Sequence, residues 1–463
     1  MKNLEINSLG ECWRQFHLRG VLKLPKVNQS EKNEFIGNSN VKVINSRNFK
    51  RLGLHFNWLS TIESLNSDRN KYLEFMKVLL LENRIVIPNF DLESELTCIN
   101  SFGTQLFAFL AFKSGDEYFY VVQNHQIVAG VYFPSSNEYV KFSGGDINGY
   151  LKFLKKEFLN KKEHLFDVKK KFVPVFSCPR PWHFFYNQAT ALSILSENIN
   201  IDGYEFYYVP GGDFMSPSNI DKNCIYKKTT IKELSSDLLS PVLFGVSFDS
   251  ITEDEHELLR RKVLSNIKVI EKPKECIRIW VGITSQKRRW IEQTESIAAM
   301  IDLLSDNGIP FEIVFDGWTS PITPTSSDSI NIESDNKIVD DIIKLSKSDF
   351  KYFSVVGELA EFKVSMSGSC DFYITNFASG SIFVSRFSGI KGLSHLNNNM
   401  NRNHHVHHNN TEISYDVVQD IHENGKVGHH VSYSIKTGDF LNEFVNFFNK
   451  LKINDLNFMR LYI

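Results

Sequence analysis

Two short runs of residues have the composition of a phosphate-binding site. Lys287-Arg288-Arg289 places three cations shortly after an apolar run, and Ser379-Gly380-Ser381 combines two hydroxyls with a glycine. Cations offset phosphate charge, and small-residue turns direct backbone amides at phosphate oxygens. The alternatives are a solvated basic turn and a flexible strand-to-helix turn. No G-x-x-x-x-G-K-S/T or G-x-G-x-x-G loop follows a strand, which argues against a P-loop ATPase and a plain nicotinamide dehydrogenase.

A proline-bounded loop, 178–188, supplies a second set of chemically able side chains: Arg180, Trp182, His183 and Asn187. His183 is the candidate acid–base group, because imidazole titrates near neutral pH. Trp182 suits stacking on a sugar face, and Arg180 suits an acidic group. Asp213, in a Gly-Gly-Asp turn, is the reserve base. The alternative is a packed aromatic loop with a hydrogen-bonded histidine.

The elements that must position these residues alternate between strand and helix. The sequence predicts strands over 277–283, 311–315, 351–356 and 371–376, and helices over 291–305, 337–345 and 358–366, with a Pro-, Ser- and Thr-rich loop over 319–329. Asp316 and Gly317 end the second of these strands. The alternation is typical of a doubly wound domain.

A similar but shorter pattern precedes it. We expect strands over 172–177 and 204–209, an apolar run over 241–247, and helices over 183–196 and 253–267. This is the pattern of a small α/β domain. Two consecutive domains of this kind predict a cleft between the carboxyl ends of their sheets, where open parallel sheets bind ligands.

The two ends of the chain have other patterns. Alternating runs over 105–112, 118–123 and 126–133 predict an antiparallel meander, followed by a helix over 147–158 that Asp146 caps. An apolar face over 440–451 predicts a C-terminal docking helix capped by Asp439. The predicted domains are 1–165, 171–270, 275–437 and 438–463.

Length and charge limit the class of protein. The 463 residues suit about three domains. A net charge of -2 leaves no overall basic field for nucleic acid, and no apolar stretch is long enough for a signal peptide or a membrane span, so at most peripheral membrane association is expected. Six scattered cysteines without a CxxC motif indicate reduced thiols and a cytoplasmic protein.

The segment 277–448 resembles the nucleotide-sugar-binding half of GT-B glycosyltransferases, in particular heptosyltransferase-like enzymes, with weaker support from 172–268. The matching pieces are the strand leading to 287–290, the strand ending at 314–317, and the strand 371–376 leading into 378–381. That family usually has Asp-Ser-Gly followed by a histidine where this chain has 377–381 and then 383–386.

The resemblance implies an α/β fold with two Rossmann-like doubly wound domains facing a cleft, preceded by an α+β N-terminal region. It implies transfer of a sugar from a nucleotide-activated donor to a saccharide or glycolipid acceptor, without a metal or other cofactor, in bacterial surface polysaccharide synthesis. Inversion is expected because a candidate base precedes the acceptor-side helix and no nucleophile is evident. The donor phosphates would contact Lys287, Arg288, Ser379, Gly380, Ser381 and Arg386. Asp316 would either bind a ribose or sugar hydroxyl or merely end its strand. His183, or Asp213 in reserve, would deprotonate the acceptor, which Arg180, Trp182 and Asn187 would bind.

Several alternatives stay open. The histidines of 395–430, among them His404, His405, His407 and His408, suit a polar loop near the cleft, a metal site, or contact of one or two of them with the donor. No cysteine or paired carboxylate motif accompanies them, which favours the polar loop. A sugar-nucleotide 2-epimerase would use the same scaffold. A non-catalytic glycan-binding or assembly protein would use the meander as its contact surface. The sequence does not set the oligomeric state.

Overall fold

A computed structural model describes residues 42–45, 70, 73–74, 77, 80–82, 86–88, 95–103, 107–114, 117–124, 127–133, 135–141, 172–176, 180–208, 211–228, 242–245, 252–273, 275–377, 379–400, 409–422, 428–451 and 461. The chain forms two compact units. The first comprises Met1–Ser177, Phe185–Val209 and Asp221–Glu255, and the second comprises Cys178–Phe184, Pro210–Ile220 and His256–Ile463.

The first unit contains a seven-stranded sheet in the order β1-β7-β6-β5-β4-β3-β2. Its strands are β1 Lys42–Asn45, β2 Val86–Pro88, β3 Glu95–Gly103, β4 Phe107–Ser114, β5 Glu117–Asn124, β6 Ile127–Phe133 and β7 Glu138–Lys141. Strands β2 to β7 pair antiparallel, which confirms the predicted meander, and β1 pairs parallel with β7. The helix predicted over 147–158 lies outside the described residues.

A turn explains why β6 and β7 pair. Asn137 has a left-handed backbone with φ 53°, a conformation that asparagine tolerates better than most residues. The hydroxyl of Tyr132 donates to Asn137 Oδ1 at 3.0 Å and holds the turn closed. Tyr132 and Tyr139, paired across the two strands, are both buried.

The first unit also contains a four-stranded parallel sheet in the order β10-β9-β8-β11. Its strands are β8 Phe172–Phe176, β9 Glu205–Tyr208, β10 Ile225–Lys228 and β11 Val242–Gly245. Between β8 and β9 the chain forms α1 Pro181–His183, a π-helical turn Phe184–Ala189 and α2 Thr190–Asn198. The strand-helix-strand prediction for this stretch is confirmed, and the domain boundaries around it stay a prediction.

The second unit is built on a six-stranded parallel sheet in the order β14-β13-β12-β15-β16-β17. The strands are β12 Ile277–Gly282, β13 Phe311–Asp316, β14 Lys351–Ser354, β15 Phe372–Asn376, β16 Lys391–His395 and β17 Asn410–Glu412. In chain order this is 3-2-1-4-5-6, the order of a doubly wound sheet, and it reverses between β12 and β15.

Helices alternate with these strands, as predicted. They are α3 Glu253–Asn266, α4 Gln293–Asp306, α5 Ser326–Leu345, α6 Ala360–Ser367 and α7 Thr437–Phe448, and a two-stranded ribbon joins β18 Gln419–Ile421 to β19 Ser432–Ser434. Short 3₁₀ turns span Pro217–Asn219, Ser379–Ser381, Tyr415–Val417 and Gly428–His430, and a π-helical turn spans Ile382–Phe387. None of the described helices is long and apolar enough to cross a bilayer.

The core of this unit explains why its strands read as continuous apolar runs. β12 is buried along its whole length, as is typical of a parallel strand covered on both faces. The C-terminal α7 packs its apolar face on β15, with the rings of Phe372 and Phe447 5.7 Å apart. Its N-cap is Lys436, so the predicted Asp439 cap is wrong. Asp439 lies in the first turn, where its charge favours the helix dipole.

Helix α5 begins much earlier than the predicted Lys337. The predicted loop 319–329 therefore ends at Thr325, and its last four residues are helical. The helix begins at Ser326 because Thr325 and Asp328 form a capping box, in which the backbone N–H of Thr325 donates to Asp328 Oδ2 at 2.7 Å. The first three turns are mostly polar, so apolar periodicity did not reveal them.

Candidate functional site

A cavity of about 380 Å³ opens at the carboxyl ends of β12, β13 and β15. Its lining includes 283–288 after β12, 316–319 at and after the end of β13, and Thr375, Asn376 and Gly380 at and after the end of β15. All lining residues belong to the second unit. The cavity therefore lies where the strand order reverses, which is the place where open parallel sheets bind ligands.

Glycines let the backbone close up at this point. A Cβ on Gly282 would lie 2.0 Å from Thr375 Oγ1, and one on Gly380 would lie 2.7 Å from the same atom. Both positions therefore require glycine. Gly380 belongs to the 3₁₀ turn Ser379–Ser381, so the predicted small-residue turn does stand beside the cavity.

The segment 180–183, which contains α1, adds four lining residues. Arg180 Nη1 donates to Gln286 Oε1 at 3.1 Å, and its guanidinium carbon lies 5.7 Å from the ring centre of Trp318. Trp182 packs against an apolar cluster that contains Met400. His183 is exposed at the cavity. The structure thus brings the predicted loop and the predicted cationic run to one cavity.

The cationic run does not act as a unit. Lys287 and Arg288 line the cavity, whereas the exposed Arg289 does not. Arg288 has a left-handed backbone with φ 60°, a strained conformation for a residue with a side chain. Such strain in a long polar residue is found more often at binding sites than elsewhere.

The guanidinium of Arg288 is mostly buried and has no acidic partner among the described residues. Its Nη1 donates to the thioether Sδ of Met400 at 3.3 Å, and its Nε donates to no described group. Burial lowers the pKa of Arg288, and the neighbouring charge of Arg180 lowers it further. A thioether is a weak acceptor, so it orients the cation without neutralising it.

A carboxylate from α5 ties two strand-end loops together. Asp335 Oδ1 accepts from the backbone N–H and the hydroxyl of Ser285, at 3.0 and 2.5 Å, and Oδ2 accepts from the backbone N–H of Trp318 at 2.7 Å. A Cβ on Gly317 would lie 2.7 Å from that Oδ2. Burial raises the pKa of Asp335, and its hydrogen bonds oppose the rise.

A buried lysine satisfies the predicted ligand-binding acid. Lys363 of α6 is fully buried, and its Nζ donates to Asp316 Oδ1 at 2.5 Å and to the carbonyl oxygens of Gly317 and Trp318 at 3.0 and 3.2 Å. Asp316 lines the cavity, and Lys363 balances its charge. Burial raises the pKa of Asp316, although Lys363 works against that rise.

The charges around the cavity favour an anion. Three of the lining residues, Arg180, Lys287 and Arg288, are cationic. Two of the lining residues are acidic. Asp316 is paired with Lys363, and Asp335 has no salt bridge to a cation among the described residues. Low-dielectric walls strengthen such a field inside a cavity.

A neutral hydrogen-bonded chain closes the side of the cavity at β15 and β16. Asn376 Nδ2 donates to the hydroxyl of Tyr433 at 2.9 Å, and that hydroxyl lies 2.6 Å from His395 Nδ1. Burial lowers the pKa of His395 to about 3 and raises that of Tyr433, so both are neutral. His395 is therefore a core residue, packed on Trp290 at 4.8 Å.

Within the described residues no group of three or more His, Cys, Asp or Glu side chains could hold a metal ion, and His404, His405, His407 and His408 lie outside them.

Seven of the predicted site residues line this cavity: Arg180, Trp182, His183, Lys287, Arg288, Asp316 and Gly380. Ser379 stands in the same turn as Gly380, and Asp213, Ser381 and Arg386 are buried and do not line it. Asn187 belongs to the first unit. The roles given to all of these residues stay predictions.

Sequence reasoning missed several lining or supporting residues: Gln286, Trp318, Asp335, Lys363, Asn376 and Met400. His430, which belongs to the candidate histidines of 395–430, also lines the cavity. Two of the missed residues carried a readable signal. Trp318 directly follows the predicted Asp-Gly strand end, and Asn376 is the last residue of a predicted strand. The others owe their position to contacts between distant segments.

No family profile and no curated protein sequence matches the chain. Solved structures that resemble it include a glycosyl transferase of family 9 from Veillonella parvula, with 12% identity, 62% of this chain and 91% of that chain covered, and a TM-score of 0.31. The E. coli heptosyltransferase WaaC with ADP is 10% identical, with 52% of this chain and 92% of that chain covered and a TM-score of 0.31. The glycosylation-associated Gap123 complex of Streptococcus agalactiae is 11% identical, with 68% of this chain and 70% of that chain covered and a TM-score of 0.23. At these values the likeness assigns no activity to this chain.

Proposed function

We propose that this protein is a glycosyltransferase whose second unit binds the diphosphate group of a nucleotide-activated sugar at the carboxyl ends of β12, β13 and β15. The observation that carries the proposal is Arg288, a mostly buried guanidinium at the cavity with no acidic partner among the described residues. A buried charge without a counter-charge is costly, and a bound phosphate removes that cost.

The surroundings of Arg288 suit a diphosphate better than a single carboxylate. Lys287 and Arg180 add two more cations to the same cavity, and Asp316 does not oppose them because Lys363 neutralises it. The turn at Gly380 adds small residues to the cavity lining, where backbone amides can approach phosphate oxygens. The cavity volume of about 380 Å³ is in the range of small-molecule sites.

The sugar-transfer part of the proposal comes from the resemblance of these strand-end motifs to the nucleotide-sugar-binding half of heptosyltransferase-like enzymes. In a direct displacement, the acceptor oxygen bonds to the anomeric carbon while the bond from that carbon to the diphosphate oxygen breaks, so the configuration inverts. Negative charge then grows on the departing diphosphate. Lys287 and Arg288 stabilise that charge in this scheme, and no metal is needed for it.

The same scheme gives the acceptor side to the loop 180–183. His183 takes the proton of the acceptor hydroxyl, and Trp182 and Arg180 orient the acceptor, a saccharide or a glycolipid. Asp213, which does not line the cavity, plays no part in it. We place the reaction in surface polysaccharide synthesis.

The binding test compares two adjacent arginines. We expect ADP, CDP, GDP or UDP, alone or with an attached sugar, to raise the melting temperature with concentration, because each would bind only the native state. Arg288→Gln should weaken the best ligand by about 1.5 to 3 kcal/mol, the scale of a charge-assisted hydrogen bond. Arg289→Gln, the matched control, should leave the affinity unchanged, because Arg289 is exposed and off the cavity.

Incubation of the wild-type protein with nucleotide sugars then separates the reactions. Release of a nucleoside diphosphate that depends on an added saccharide supports transfer. Epimerised nucleotide sugar formed without an acceptor indicates a 2-epimerase instead. If no nucleotide or nucleotide sugar binds at millimolar concentration, the proposal is wrong and a glycan-binding or assembly protein is favoured.

A further inference from the structure

Asn376 presents an unused hydrogen-bond acceptor to the cavity. It is the last residue of β15 and lines the cavity. Its Nδ2 donates to the Tyr433 hydroxyl at 2.9 Å, which leaves the amide oxygen Oδ1 as the other polar atom of the side chain. Among the described residues no group donates to that oxygen.

The chain behind Asn376 explains why its amide is turned this way. Tyr433 has a single hydroxyl proton, and His395 Nδ1 stands 2.6 Å from its oxygen. When that proton is donated to Nδ1, the hydroxyl oxygen is left to accept from Asn376 Nδ2. Both Tyr433 and His395 are buried and neutral, so neither side chain brings a charge of its own into these bonds.

Packing and main-chain hydrogen bonds also fix the positions of His395 and Tyr433. Trp290 packs on His395 at a ring distance of 4.8 Å, and its Nε1 donates to the carbonyl oxygen of Ile435 at 3.0 Å. Tyr433 is held from both sides by its main chain, since its N–H donates to the Arg289 carbonyl and its own carbonyl accepts from Ile291. Residues from β15, β16 and β19 thus share one buried network.

We propose that Asn376 is a specificity-determining residue that accepts a hydrogen bond from a hydroxyl group of the ligand, and that Tyr433 and His395 are positioning residues that keep its Oδ1 turned to the cavity. This inference rests on the proposed function, because it takes the ligand to be a nucleotide or nucleotide sugar. The hydroxyl belongs either to the ribose or to the transferred sugar. A polar atom dedicated to a ligand hydroxyl discriminates strongly against an analogue that lacks it.

The test removes one hydroxyl from the ligand and one acceptor from the protein. Calorimetry would measure the affinity of the nucleoside diphosphate that binds best, of its 2′-deoxy and 3′-deoxy forms, and of the matching nucleotide sugar and its monodeoxy-sugar forms. For the wild-type protein we expect one of these deletions to cost about tenfold in affinity. The arm in which it appears identifies the ribose or the transferred sugar.

Three variants then show whether Asn376 and its positioning residues cause this loss of affinity. Asn376→Leu and Tyr433→Phe should bring the hydroxyl and deoxy ligands to equal affinity while leaving the affinity for the deoxy ligand near its wild-type value. His395→Asn keeps an acceptor for the Tyr433 hydroxyl and should retain the discrimination. Tyr415→Phe, at an exposed tyrosine of the same unit, is the matched control and should change nothing.

A structural role alone would weaken both ligands equally, and that result overturns the inference. So does a hydroxyl deletion that costs the same in the wild-type protein and in Asn376→Leu. If Tyr433→Phe does not fold, Asn376→Leu carries the comparison, because Asn376 lies at the cavity wall. If the wild-type protein binds no ligand of the panel, the proposed function is overturned together with this inference, whereas binding without hydroxyl coupling overturns this inference only.

Discussion

Two arginines at opposite ends of β12 show how partners decide what a buried cation does. Arg278, at the amino end, donates from Nε and Nη2 to Glu312 Oε2 at 2.9 and 2.7 Å, and from Nη1 to Ser369 at 2.8 Å. The side chain of Arg288, beyond the carboxyl end, donates a hydrogen bond only to the thioether of Met400 among the described residues. The first charge is neutralised within the fold, and the second has no acidic partner among the described residues.

The acids at the two ends differ in the same way. Glu312 is shared by Arg278 and Lys351. Burial acts to raise its pKa, but the two cations hold it below its usual value. Asp335, at the carboxyl end, is held by hydrogen bonds from Ser285 and Trp318 instead, and its pKa is raised. The amino end of the sheet therefore contributes stability, and the carboxyl end keeps polar groups positioned at some cost to it.

The strongest test of this contrast breaks the amino end. Arg278→Met leaves Glu312 buried with Lys351 as its remaining cation, and losing one partner of a buried pair costs about 3 to 5 kcal/mol. We expect urea unfolding to show this loss, while the folded fraction binds nucleotide with unchanged affinity. Arg278→Lys, which keeps the charge but not the fork of donors, should lose less. A loss of nucleotide affinity would show that the two ends are not independent.

The sequence predicts the strands of the second unit well for a physical reason. Strands that are covered on both faces must be apolar along their length, and β12, β13 and β15 are such runs. The first turns of α5 were not predicted from the sequence, because the start of this helix depends on the Thr325–Asp328 capping box and on few apolar contacts. Strand order is a property of long-range pairing and is not written in any one segment.

The site divides along the same line. The cationic run and the loop with His183 are local patterns, so the sequence shows them. The residues that hold the strand-end loops act over long separations: Asp335 contacts Ser285 and Trp318, 50 and 17 residues away. No local pattern predicts that Arg288 is buried and Arg289 exposed, since both belong to one basic run and only the left-handed backbone at Arg288 separates them.

A second test examines the carboxyl end of the sheet through the pH dependence of stability, at His395. Unfolded His395 binds a proton near a pH of about 6.5, whereas burial lowers its pKa in the folded protein to about 3. Between these values the unfolded state binds more protons, so the free energy of unfolding should fall as the pH falls, by about 1.4 kcal/mol per pH unit from this group. Urea unfolding of the wild-type protein and His395→Asn, on the acid side of neutrality, measures the difference in slope.

The control for that slope is His422→Asn, at an exposed histidine of the same unit. It should keep the wild-type pH dependence. Equal slopes for the wild-type protein and His395→Asn would mean that His395 is protonated in the folded state, and the neutral chain from His395 to Asn376 would then be wrong.

The smallest change in stability is expected at Arg288, the buried arginine that has no acidic partner among the described residues. Arg288→Met removes a mostly buried charge that has no counter-charge, so the ligand-free protein should gain about 1 kcal/mol in stability, the reverse of the Arg278→Met result. Arg289→Met, at an exposed position, should stay within about 0.5 kcal/mol of the wild-type protein. Urea unfolding without nucleotide measures both. A clear loss of stability in Arg288→Met would show that the fold already satisfies this guanidinium, and the anion site would lose the observation that supports it.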